Sequence, residues 1–123
     1  MHWPAVALGG ALGAMVRYGI STWVITISNH KFPYATVAIN TPGCVVMGIL
    51  LVPTVKKAAL PGEMRSPLMI GFVGAYTTFS TFSLDALGLW QNGHLLMALI
   101  YILATVILCL IAISSSVWLT RLF

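Results

Sequence analysis

Charge is what this sequence most conspicuously goes without. Only 7% of its 123 residues are Asp, Glu, Lys or Arg, and just two are acidic. A soluble globular domain is charged at about a quarter of its positions. An aqueous fold is therefore excluded, and no stretch remains for a separate water-facing domain, so residues 1–123 read as one membrane unit. The six basic residues give a net charge of +4 but are scattered, which excludes a nucleic-acid surface. Cysteine is scarce too: Cys44 and Cys109 lie in apolar runs with no C-x-x-C spacing. That excludes a disulfide framework or zinc site and leaves buried thiols. No nucleotide loop, metal-ligand cluster or catalytic triad is present, so neither a pump nor an enzyme is expected. The start lacks a basic n-region and a small-residue cleavage site, and reads as a retained span rather than a signal peptide.

What is there is apolar: 59% of the residues are hydrophobic. They fall into four segments, at residues 4–27, 34–52, 67–90 and 95–119. Each has the length needed to cross a bilayer as a helix with some tilt. The connections, at 28–33, 53–66 and 91–94, are short, and Pro33, Pro53, Pro61 and Pro67 stand at segment ends, where proline costs least. The expected fold is an all-α membrane protein of four transmembrane helices. An even number of spans puts both termini on one side, together with Lys56, Lys57, Arg65 and Arg121, while Lys31 faces the other. That bias favours cytoplasmic termini but is weak enough for insertion in both orientations.

The third segment breaks the apolar pattern at its centre. Gly71 to Ser83 reads G-F-V-G-A-Y-T-T-F-S-T-F-S, with glycines and hydroxyls where a structural span would carry Leu, Ile and Val. Gly74-Ala75-Tyr76-Thr77-Thr78 marks a helix break that frees backbone groups. Freed backbone at membrane depth must be buried in protein, line a cavity or hold an ion. The stretch is thus either a kink satisfied by its neighbours or an ion site.

Other polar residues also sit at membrane depth. Arg17 lies in the first span, either snorkelling toward the loop or supplying a vestibule charge for anions. Asp85, the one acid within a span, pairs with a base or caps polar helix surface, a proton-coupling role being the weaker option. Asn40 and Thr36 are one turn apart on the second span, and Asn40 is either interhelical glue or an anion donor. Pro42 predicts a kink beside it. Tyr101, Thr105 and Cys109 recur every four residues on the fourth span, and Ser114, Ser115 and Ser116 extend the polarity. Such hydroxyls can equally bond their own helix carbonyls. Phe79 and Phe82, three apart, share a helix face, and their positive ring edges suit either core packing or a small anion. Gly9 and Gly13 form a G-x-x-x-G step for close helix approach, within the chain or between copies. Four short helices enclose little, and oligomerisation is the natural remedy.

Three motifs in order carry a resemblance over essentially the whole chain. G-G-A-L-G-A-M-V-R-Y at 9–18, N-T-P-G at 40–43 and G-F-V-G-A-Y-T-T-F-S-T-F at 71–82 resemble the landmarks of the CrcB/Fluc family of fluoride channels. Pro42 and Cys44 depart from the usual second motif. The resemblance implies an antiparallel, dual-topology homodimer of four-helix subunits in the cell inner membrane, with two narrow pores for fluoride. It implies a structural sodium ion at the dimer centre, held by backbone carbonyls of Gly74 and Thr77 from each subunit. It puts Asn40, Phe79, Phe82, Tyr101, Thr105 and Cys109 on the fluoride pathway, with Thr36, Thr78 and Arg17 beside them, Cys109 standing where a hydroxyl is usual. Passive export of cytoplasmic fluoride is the implied activity. A small proton-coupled multidrug antiporter has the same helix count but calls for a carboxylate in the first helix, where this chain has Arg17. A non-transporting membrane scaffold is the other alternative.

Overall fold

The computed structural model describes residues 3–28, 32–56 and 66–122. Lys31, Lys57, Pro61 and Arg65 lie outside the described residues, as does most of the connection expected at 53–66. The elements in order are α1 (Trp3–Ile27), α2 (Tyr34–Lys56), α3 (Ser66–Val73), α4 (Gly74–Tyr76), α5 (Ser80–Gln91) and α6 (Leu95–Arg121). All described regular structure is helical. The pieces α3, α4 and α5 together form one span with a break at residues 77–79, so the four expected spans are present.

The spans lie where the apolar runs put them, with one extension. The helix α2 continues past Pro53 to Lys56 and runs unbroken through Pro42. A proline removes a single N–H, and the chain on both sides can keep its helical winding. Both α2 and α6 are long and apolar enough to cross a membrane, with mean hydropathy 1.9 and 3.0. In α1 the run is diluted by Gly9, Gly10, Gly13, Arg17 and Gly19, and the third span is cut by its break. Large apolar side chains face outward throughout, among them Leu96, Leu103, Ile107 and Leu110 on α6. An apolar patch of that extent is untenable in water and natural in lipid. This is a multi-pass membrane protein.

Packing follows the small residues. A Cβ at Gly9 would meet the Pro67 carbonyl, and one at Gly13 the Phe72 carbonyl, so the G-x-x-x-G step seats α3 against α1 within the chain. The stretch α3 is wound as a π-helix over eight residues, a form usually confined to single turns and frequent near functional sites. The α2–α6 pair is close as well: a Cβ at Gly48 would strike the Ser116 hydroxyl and lie 2.9 Å from the Ile113 carbonyl. Buried Phe82, Leu89, Ala98 and Tyr101 form the core between α5 and α6, with Tyr101 fully enclosed.

Candidate functional site

The break is the centre of the site, and its hydrogen bonds explain it. Helical winding stops at Thr77, which is extended (φ −80°, ψ 159°). In an unbroken helix the Thr78 N–H would bond the Gly74 carbonyl, and the Thr81 N–H the Thr77 carbonyl. Both donors are taken by side chains instead. Thr78 donates its N–H to Asn40 Oδ1 at 2.8 Å, and Asn40 Nδ2 donates back to the Thr78 carbonyl at 2.9 Å. The Thr81 N–H goes to Thr78 Oγ1 at 3.2 Å, which caps the start of α5. The Thr77 hydroxyl folds back onto the Val73 carbonyl at 3.0 Å. The N–H groups that a helix would offer to the Gly74 and Thr77 carbonyls are thus engaged elsewhere.

The N-T-P-G stretch accounts for the other side of this joint. Asn40 is buried on α2 and clamps Thr78. A Cβ at Gly43, one turn on, would run into Thr77 Cγ2 and approach the Tyr76 ring at 3.2 Å. Glycine there makes room for the broken backbone. Asn40 thus does serve as glue, and one N–H of its amide remains for another acceptor.

Beside the break lies a cavity of about 360 Å³, lined by Asn40, Cys44, Thr78, Phe79, Phe82, Thr105 and Cys109 among others. Thr105 Oγ1 is buried and has no hydrogen-bond partner among the described residues. Phe79 and Phe82 stand with ring centroids 5.6 Å apart, tilted by 55°. Their settings differ: Phe82 is 8% exposed and packs on Tyr101, whereas Phe79 is 77% exposed. A second cavity, about 200 Å³, is lined by Arg17, Ser21, Thr36, Thr78 and Thr81. Arg17 Nε is buried there, again without a partner among the described residues. Thr78 walls both cavities, so the Asn40 clamp sits between them.

Tyr101 and Thr36 meet elsewhere, on Asp85. Thr36 Oγ1 donates to Asp85 Oδ2 at 2.6 Å, and Tyr101 Oη donates to the same oxygen at 3.1 Å. The carboxylate is therefore tied to hydroxyls of α2 and α6, and it also edges a cavity with Ser28, Tyr34 and Asn92. Asp85 joins three spans, a role its isolation in the sequence did not reveal. Gly43 and Thr81 were also missed as site residues. The T-x-x-T spacing of Thr78 and Thr81, a cap in waiting, was the available signal. Among the described residues no group of three or more His, Cys, Asp or Glu could hold a metal.

Comparison with known proteins gives a consistent answer. The family model for CrcB-like protein, Camphor Resistance (CrcB), matches residues 4–117. The fluoride-specific ion channel FluC of Hahella chejuensis is 51% identical over 121 residues, covering 98% of this chain and 95% of that one. The fluoride-specific ion channel FluC of Saccharophagus degradans is 48% identical over 120 residues, covering 97% and 89%. That of Acidithiobacillus ferrooxidans is 39% identical over 116 residues, covering 94% and 93%.

Proposed function

This chain belongs to the CrcB-like protein family, and on that premise we propose that it is a fluoride channel through which cytoplasmic fluoride leaves passively. The observation that carries the reading is the cavity that brings Asn40, Phe79, Phe82 and Thr105 together beside the break. Fluoride is small and strongly hydrated, and a dry path must replace its water with donors. An amide N–H, a hydroxyl without a partner and two ring edges supply weak donors that let the ion go again. Arg17, in the second cavity, adds positive potential where an anion would enter.

Residues 1–123 would act as one subunit of an antiparallel homodimer, embedded in lipid. The carbonyls of Gly74 and Thr77, whose helical donors at Thr78 and Thr81 are engaged elsewhere, would hold a small monovalent cation of sodium's kind. Such an ion supplies fixed positive charge without a titrating side chain. Gly74 is exposed on the single chain, as a residue meeting its counterpart across a two-fold axis would be.

The deciding experiment loads the purified protein alone into liposomes filled with potassium fluoride. Fluoride should leave rapidly once a potassium ionophore balances charge, while chloride-filled vesicles stay sealed. Vesicles that retain fluoride would return the chain to the scaffold reading. Release that requires a proton gradient would instead favour the antiporter.

A further inference from the structure

The two cysteines, far apart in sequence, face each other across α2 and α6. The two helices run parallel and in register, so that contacts advance by four residues on both. Thr36 and Tyr101 share the Asp85 oxygen, Asn40 and Thr105 line one cavity, and Gly48 rests on Ile113. Cys44 and Cys109 occupy the rung between the last two. Their thiols lie close enough to interact, both are half-buried, and both form part of the wall of the larger cavity.

We propose that Cys44 and Cys109 together make a two-thiol binding site for a single soft, two-coordinate cation, for which mercuric ion is the probe. Paired sulfurs select soft metals over hard ones. The other side chains nearby, Met47, Val106 and Leu110, offer at most a thioether. No third or fourth strong ligand completes a tetrahedral zinc site among the described residues. A cation content with two sulfurs in line therefore fits, and zinc does not. On binding, both S–H bonds break, two S–Hg bonds form and two protons leave to solvent. No oxidation state changes.

The test treats the detergent-purified chain with one equivalent of mercuric ion and then counts free thiols. Both thiols should disappear together, and the chain should still run singly on a non-reducing denaturing gel. A large excess of a monothiol should strip mercury from Cys44→Ala and Cys109→Ala about a hundredfold more readily than from the wild-type chain, since the second thiol acts at high effective concentration. Loss of only one thiol per mercury in the wild-type chain overturns the site. A mercury-bridged pair of chains, or equal retention by either variant, does so too. Thiol counting needs no ion flux, so failure of the fluoride reading would leave this result to stand or fall by itself.

Discussion

At the scale of single residues, Asn40 is the most informative. Its amide makes two hydrogen bonds to the backbone of one residue, Thr78. Interhelical hydrogen bonds in membranes average only about 0.6 kcal/mol, because separated helices find substitutes. Here truncation strands an N–H and a carbonyl, and the larger penalty for unsatisfied groups applies, about 2 kcal/mol or more. Asn40→Ala should therefore lower thermal stability in detergent and abolish fluoride efflux. Asn40→Asp keeps the acceptor for Thr78 and should be the more stable variant, yet its negative charge should still block fluoride. Equal stability of wild type and Asn40→Ala would remove the clamp from the account. The two phenylalanines separate packing from conduction. Phe82→Ile gives up contact with Tyr101 and should cost about 1 kcal/mol, whereas Phe79 is too exposed for its loss to register in the isolated chain. Both should cut efflux sharply, and Phe79→Ile decides, because its effect cannot be laid to misfolding. Undiminished efflux in that variant would leave its ring outside the path.

At the scale of elements, close approach governs the fold, and glycines report it. Gly43→Ala presses a methyl group into Thr77 and should destabilise by about 1–3 kcal/mol while displacing the break. Gly19→Ala meets open space on an exposed helix face and should be neutral or slightly stabilising. Thermal unfolding of the two side by side checks the contrast; similar values would mean that α2 does not seat the break. This also shows where sequence reasoning reached its limit. The four spans, a break within the third and the shared face of Thr36 and Asn40 were legible, since hydropathy and period report which residues face inward. The break itself falls at 77–79, because Gly74–Tyr76 stay helical where the sequence predicts an opening at 74–78. Partners were not legible. Gly9 and Gly13 could have packed within the chain or between copies, and only the Pro67 and Phe72 backbones decide it. Asn40 finds Thr78 across 38 residues, and Cys44 finds Cys109 across 65, pairings that local periodicity does not encode. The π-winding of α3 left no trace in composition either.

At the scale of the whole molecule, the proposed conduction path is left open on one side of the single chain. Phe79 stands 77% exposed at the rim of the cavity it lines, and Gly74 faces outward at the break. A second copy, turned over about an axis through the break, would bring two sets of Gly74 and Thr77 carbonyls together. One cation could then satisfy both. In the poorly polarisable membrane interior its charge would be felt by both anion paths. Three measurements probe this arrangement. Tags at the C-terminus should be reachable from either face of the membrane, because opposed copies present opposite ends. If every tag lies on one side, a self-paired inverted dimer is ruled out. Replacing sodium by a bulky organic cation should weaken fluoride efflux or the dimer, while the reversal potential continues to follow fluoride alone. A dimer structure should then show a spherical peak within about 2.5 Å of the four carbonyl oxygens, the distance expected for a hard cation. Should those carbonyls bond only to water or to neighbouring helices, the diverted N–H groups of Thr78 and Thr81 would mark a kink and nothing more.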